Sequence, residues 1–380
     1  MEYTPDLFQY PDYTLPENAG VEQLRATVVR AMHDELSVQW TTDCHLEYRK
    51  FGAVSGKLFQ YDPDNLYAGL PYSNGSTGIF QWLKYYDKET GAMKFPGTGQ
   101  QWADTLGNSC ANSVIWGWQT VCTGLAGNHY TRNMTQCNGF LPVGPYTYDP
   151  NLYDLKEYTT KQIIDDNGAP VMLESYACIE MGDGLVSSTD DHAVMAIEKA
   201  TTVRLEDGSV DGENSFVMIQ DQRGGKGAGF YEREENDKLV NYSGRTAFKY
   251  TFNKLMKLGY IPCAPAELLG KKPYQKPWVT YVGNKRKPAE LMLGEIRSNY
   301  FICNLEAVLE CEDGTEKELA FIHYRKGSVG PGVPERFQVL EMRNKIPEDI
   351  QKPEDGKKYF FRLDATVANG EKLTAVRIEM

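Results

Sequence analysis

Between Gln100 and Gly127 the chain reads QQWADTLGNSCANSVIWGWQTVCTGLAG, and the spacing of its apolar residues leaves few choices of fold. Val114, Ile115, Trp118, Val121, Cys122 and Leu125 recur at i, i+1, i+4, i+7, i+8 and i+11, one stripe of an α-helix. Gly107, Asn108 and Ser109 precede the stripe. Asn or Ser is the expected N-cap, and Gly107 permits a tight entry. Gly124 and Gly127 are expected to end the helix. Cys110 therefore falls in the first turn of a helix whose body is buried. Unpaired backbone N–H groups and the helix dipole favour a thiolate there. A small buried hydrophobe is the alternative reading of such a cysteine.

Composition narrows the setting. At about 150 residues per domain, 380 residues suggest two domains. Hydrophobic residues at 41% and charged residues at 24% argue against wholesale disorder. A formal net charge of −12 repels phosphate backbones, so nucleic acid is not expected as a partner. No run approaches the ~18 consecutive apolar residues of a membrane span. The opening MEYTPDLFQY lacks the basic and apolar regions of a secretory signal. The 8 cysteines are scattered without a CxxC pair, and with only 5 histidines neither a disulfide scaffold nor a zinc site is expected. Cys303 and Cys311 are expected on one extended segment, roughly 26 Å apart if straight, too far to bridge. The remaining cysteines are expected to pack.

Three zones stand out. Residues 1–65 hold a Pro- and Tyr-rich lead and then a helical pattern: Val21, Leu24, Val28, Ala31, Met32 and Leu36. His33, beside Asp34 and Glu35, is expected on its solvated face. Residues 66–265 alternate glycine-rich loops, the apolar helix and β-branched strands. Residues 270–288 carry basic residues and three prolines and are expected to connect. Beyond them, Tyr300–Cys311, Leu319–Tyr324, Arg336–Met342, Tyr359–Val367 and Leu373–Ile378 read as strands of a small all-β, sandwich-like module. Asn369-Gly370 is its strongest hairpin signal.

A thiolate nucleophile needs an imidazole and a group to orient it. His192 opens the run HAVMAI, apolar on both faces of a pleat and hence a central strand. Phe216–Ile219 is similar and leads to Gln220-Asp221. The turn-rich EDGSVDGEN between them predicts an antiparallel hairpin of 192–203 with 216–221. Asp221 can then approach His192. A core histidine satisfied by an aspartate, without chemistry, is the alternative. His45 and His129 lie in expected loops and His323 in the β module. Gly224-Gly-Lys-Gly fails the P-loop spacing, and Asp207–Asn214 fails that of an EF-hand.

Taken together, Gly-Asn-Ser-Cys110-Ala-Asn-Ser-Val, His192-Ala-Val and Val217-Met-Ile-Gln-Asp221-Gln-Arg-Gly-Gly resemble the nucleophile, histidine and orienting-residue motifs of papain-like cysteine peptidases, in the same order. The resemblance spans roughly residues 100–232. It implies an α+β catalytic domain over 1–269, ahead of the connector read at 270–288 and the β-rich accessory domain read at 289–380. It implies Cys110 as nucleophile, His192 as proton carrier and Asp221 as orienting acid, with no cofactor and no metal. Two departures stand out. Asp104 replaces the glutamine that donates to the oxyanion six residues before the cysteine, leaving Gln101 as a shifted candidate, and Asp221 replaces Asn. Tyr67-Ala-Gly-Leu-Pro-Tyr72 is similar to the lead-in of bacterial NlpC-type cell-wall peptidases. That likeness implies a peptide or peptidoglycan stem-peptide substrate, an extracellular or cell-wall setting, and Tyr67, Tyr72 and Trp82 as substrate-binding aromatics. The alternatives are a general endopeptidase and a non-catalytic cell-wall or glycan binder. The oligomeric state is not legible.

Overall fold

The computed structural model describes residues 10–49, 58–63, 65–73, 77–94, 106–125, 140–149, 158–223, 231–235, 238–323, 335–346, 350 and 356–380. The chain is mixed α+β, mostly sheet with few helices, and no barrel closes among the described residues. Helix α1 (Val21–Ser37) forms where the three-four spacing predicts, and Leu24, Val28, Ala31, Met32 and Leu36 are buried along it. Val21, expected on that face, is exposed at the first turn. Strands β1 (Gln39–Thr42), β2 (Leu46–Arg49), β3 (Leu58–Tyr61) and β4 (Leu66–Ala68) follow, then the short helix α2 (Ile79–Trp82) and β5 (Ala92–Met93).

Helix α3 (Cys110–Gln119) starts at the expected cysteine, but all of its residues are buried, not one stripe alone. It also ends before Gly124. The Thr120 hydroxyl donates to the Gly117 carbonyl at 2.6 Å, and the backbone tightens so that Val121 and Cys122 both bond the Trp118 carbonyl. Gly127 lies outside the described residues. Gly117 lets three elements meet, since a Cβ there would lie 3.0 Å from Met195 Cε and 3.1 Å from the Val28 carbonyl.

The chain continues through β6 (Phe140–Pro142), helices α4 (Thr160–Asn167) and α5 (Ala169–Ala177), β7 (Gly184–Ser187), β8 (His192–Ala196), β9 (Phe216–Gln222), β10 (Tyr231–Glu235), β11 (Lys238–Tyr242), β12 (Gly244–Thr251), helix α6 (Phe252–Leu258) and β13 (Ile261–Pro265). A six-stranded antiparallel sheet in the order β12-β9-β8-β7-β13-β6 carries α3 against it. A second, mixed sheet runs β10-β11-β4-β1-β5. Strand β8 is fully buried, as its doubly apolar pattern requires. It stops at Ala196 rather than at 203. Beyond it the chain turns on itself, with Asp207 Oδ1 accepting from the Ser209 amide at 2.9 Å.

After residue 265 come β14 (Val279–Val282), β15 (Glu295–Ser298), β16 (Ile302–Cys311), β17 (Glu316–His323), β18 (Glu335–Gln338), β19 (Tyr359–Val367) and β20 (Lys372–Glu379). They form the antiparallel sheets β14-β15-β18 and β17-β16-β19-β20. The expected connector is corrected in part. Its prolines flank Val279–Val282 rather than interrupt it, and that segment is an edge strand. The expectation of an all-β stretch is also corrected, because Pro288–Leu291 and Leu340–Arg343 are helical turns. At the second of these Val339 and Met342 are both buried three residues apart, a helical rather than a strand period. Asn369-Gly370 closes the β19-β20 hairpin, with Gly370 at φ +90°. One apolar cluster joins α1 and α3 to Ile302, Leu305, Leu363 and Ala365 of the C-terminal strands.

Trp118 sits at the middle of this cluster, fully buried, its indole N–H donating to the Gly182 carbonyl at 2.8 Å. Trp118→Ala is expected to cost about 3–5 kcal/mol, by lost burial, a cavity and an unpaired carbonyl. Urea unfolding measures this. A loss below about 1 kcal/mol would show that the neighbouring elements do not depend on the ring.

Candidate active site

The loop before α3 is built by close backbone approach. A Cβ on Gly107 would lie 2.0 Å from the Pro71 carbonyl. In its absence the Asn108 amide donates to the Pro71 carbonyl at 3.0 Å, and the Ser73 amide to the Asn108 carbonyl at 3.1 Å. Tyr72 is thereby laid beside the helix start, with its hydroxyl 3.9 Å from Cys110 Sγ. The same hydroxyl accepts from the Cys110 backbone N–H. Ser109 is the N-cap residue by backbone conformation, but its hydroxyl accepts from Asn112 Nδ2 at 3.1 Å instead of capping a backbone N–H.

His192 and Asp221 arrive from adjacent strands. The pairs Met195–Gln220 and Ala196–Ile219 set the register. Continued by one step, it puts Asp221 opposite Val194. Residues 192 and 194 share a face of the pleat, so the imidazole reaches Asp221 diagonally. His192 Nε2 lies 2.8 Å from Asp221 Oδ2, and the ring is also hydrogen-bonded to the Cys110 side chain. With Asp221 on Nε2, the nitrogen left to face sulfur is Nδ1. Asp191, immediately before His192, is the sole non-glycine residue with positive φ among those described, at +48°. The backbone turns sharply there into the strand.

Burial disfavours the imidazolium, but the negative charge on Cys110 and the bonds to Asp221 and Cys110 outweigh it, and His192 is pushed up to about 9. Asp221 is fully buried, yet bonds from Arg245 and His192 hold its carboxyl below the usual range against that burial. Arg245 Nε donates to Asp221 Oδ1 at 2.9 Å, and Nη2 donates to Oδ2. Burial, then Cys110, raises the Tyr72 phenol well above its ordinary value.

Cys110, His192, Asp221 and Tyr72 thus converge. Tyr67 and Trp82, expected against substrate, do not join them. They are 2% and 0% exposed in an aromatic cluster, Tyr67 at 4.8 Å and Trp82 at 5.9 Å from the Trp40 ring, so their role is packing. Gln101 and Asp104 lie outside the described residues, as do His129 and Cys137. Cys122, Cys263, Cys303 and Cys311 are buried, whereas Cys44 and Cys178 are exposed, contrary to the expectation of packing. His33 is solvated as expected, His45 pairs with Asp62 at 2.6 Å, and His323 meets the Tyr85 hydroxyl at 2.8 Å.

Two residues escaped the sequence reading. Arg245 gave no signal, since nothing in a strand sequence names its cross-strand partner. Glu35, expected beside His33 on a solvated face, is fully buried. It stands three residues after Met32 and four after Ala31, so its place on the apolar side of α1 was the readable signal. Its Oε1 accepts from Asn108 Nδ2 at 2.8 Å and from Ser113 Oγ at 2.7 Å, bracing both sides of Cys110, and its Oε2 is buried without a partner among the described residues. No family model, no curated protein and no solved structure matches the chain, so the site stands on its own geometry.

Burial pushes the Glu35 carboxyl up from its ordinary 4.5 to about 7, against the bonds from Ser113 and Asn108. The folded chain then holds this proton more tightly than the unfolded chain. The resulting stability is complete below pH 4.5 and is lost as pH rises to about 7. That difference corresponds to roughly 3 kcal/mol. Glu35→Gln is expected to gain on the native chain by about that amount between pH 5 and pH 8 in urea unfolding. An identical difference at both pH values would refute it. Asp183, also raised by burial, is present in both proteins and cancels.

Proposed function

We propose that this chain is a cysteine-nucleophile amide hydrolase of the papain-like type, acting on peptides and most directly on the stem peptides of bacterial cell wall. The observation that carries the reading is the contact of one imidazole with both Cys110 and the Asp221 carboxylate, at the first turn of a buried helix. The cell-wall substrate and an extracellular setting rest on the sequence likeness around Tyr67–Tyr72.

The chemistry follows from the placement. The Cys110 thiolate attacks the amide carbonyl carbon, a C–S bond forms, and the oxygen takes the charge. In the resting site the Tyr72 hydroxyl accepts from the Cys110 backbone N–H and lies 3.9 Å from sulfur, so an oxyanion forming beside Sγ would draw both donors from that contact, with Tyr72 as the second. As the C–N bond breaks, imidazolium gives its proton to the leaving nitrogen. Water then adds to the thioester while His192 takes its proton, and C–S cleavage releases the acid and regenerates thiolate. Asp221 holds the ring through both steps.

A second reading is favoured by one observation. Cys110, His192 and Asp221 are 4%, 3% and 0% exposed, which suits a scaffold that binds without turnover. Iodoacetamide separates the two readings. For the enzyme, Cys110 labels at least tenfold faster at pH 7 than the exposed Cys44 and Cys178, and His192→Gln abolishes the preference. Equal rates at the three cysteines would leave only the scaffold.

Turnover of purified peptidoglycan and of casein, compared by mass analysis of products, sorts the substrate class. Cys110→Ala is expected to remove hydrolysis of whichever is cut. Tyr72→Phe is expected to lower kcat by about 10²-fold with little change in KM. Imidazolium persists up to about pH 9, so the alkaline limb of kcat/KM is expected near that value. An alkaline limb near pH 6.5, with imidazolium lost at its ordinary value, would contradict the assigned proton donor.

A further inference from the structure

Among the described residues Asp221 has two hydrogen-bonding side-chain partners, His192 and Arg245. If Cys110 is thiolate and His192 imidazolium, a lone Asp221 would leave the buried site with one uncompensated negative charge, an expensive state away from water. Arg245 supplies the missing cation. It faces Asp221 in the β9–β12 register, and the ladder is irregular between Arg245 and Phe248. The guanidinium lies over the Phe248 ring, its carbon 3.5 Å from the ring centroid. Stacking on one side and the two-point grip on the carboxylate fix the fork in position. Oδ2 is shared between Arg245 and the imidazole, so neither contact is independent of the other.

We propose that Arg245 is a positioning residue of the catalytic assembly, gripping Asp221 with its guanidinium fork and drawing off part of its charge so that the imidazolium stays acidic enough to protonate the leaving amine. The inference rests on the cysteine-hydrolase reading. Aspartate held by His192 alone would bind the imidazolium more tightly, keep its proton longer and slow its delivery to nitrogen. A lysine could supply the charge but not the two parallel bonds.

The charged and titratable neighbours are few. From α3 comes Cys110, and from the loop before α2 comes Tyr72. The turn before β8 brings Asp190 and Asp191, and Asp191 acts on Tyr72. Arg223 follows β9, and one of its nitrogens lies 3.9 Å from Asp190. Tyr260, before β13, donates to Asp190 at 2.7 Å. Arg223 also acts on Asp221 through space, but the direct hydrogen bonds to the carboxylate come from Arg245.

The test is an NMR titration of ¹³C-histidine-labelled full-length chain, with 5 histidines to resolve and His192→Gln to assign the signal. In Arg245→Gln the His192 proton affinity is expected to rise about tenfold, an upward move of one pH unit in its midpoint. Arg245→Lys is expected to move it part of the way in the same direction. Near-UV circular dichroism shows whether each variant is folded. Where Arg245→Gln does not fold, Arg245→Lys carries the test. An unchanged His192 midpoint in a folded variant overturns the role. Iodoacetamide labelling of the native chain is run beside it. Failure of Cys110 to label selectively would remove the hydrolase reading, while the titration still reports whether Arg245 governs the Asp221–His192 pair.

Discussion

All ten residues of α3 are buried, so this helix needs a partner on every side. Helix α1 covers one side, and strands β8 and β9 cover another. The stretch after the helix meets the C-terminal strands, where the Tyr300 hydroxyl donates to the Val121 carbonyl at 3.2 Å. The small residues Ala111 and Gly117 let these neighbours come close, and Trp118 fills the interior. Once that helix is enclosed, its first turn meets the buried polar side chains of Tyr72, His192 and Asp221, and the placement of Cys110 follows from the packing of everything behind it.

Such a burial sets a second requirement, because polar atoms carried inside need partners. Several polar groups around the helix start meet it with long-range bonds. Gln222 Nε2 and the Ser243 hydroxyl both donate to the Leu70 carbonyl at 2.6 Å, and the Leu70 amide donates to the Glu35 carbonyl at 3.0 Å. The segment bearing Tyr72 is thus tied to α1, β9, the turn before β12 and the Asn108 backbone. A tyrosine on so braced a segment has little freedom to move from the sulfur, which gives its hydroxyl a fixed address.

Much of this was legible where local period and burial agree. The spacing of Leu24 to Leu36 and of Val114 to Val121 named both helices, since a helix repeats on one face whatever it packs against. Asn369-Gly370 named a hairpin because only a residue free to take positive φ makes that turn. The site's three central residues were legible for another reason: each sits at an abrupt change of pattern, a polar group heading or ending an apolar run. What failed was non-local. The end of α3 depends on a hydroxyl reaching back one turn. The role of Tyr67 and Trp82 depends on whether a neighbouring chain segment covers them, and it does. Arg245 lies 24 residues from Asp221 and meets it only through strand register. Local patterns carry no register across a sheet.

The chain as a whole carries a formal −12, but its buried centre is arranged in opposites. On the proposed hydrolase reading, thiolate against imidazolium and carboxylate against guanidinium sum to zero over four side chains. Surface charge acts on such a centre through water and salt, where fields fade within about 8–10 Å. Pairs in direct contact inside the protein feel much less of that screening. The proton held between Cys110 and His192 therefore responds first to the groups that touch them, and the strongest of these is the carboxylate whose own charge is shared. In this arrangement the acid does not act as a free anion behind the ring. It is one corner of a set of touching charges, and in the proposed chemistry the strand register that supplies Arg245 counts as much as the helix that supplies the sulfur.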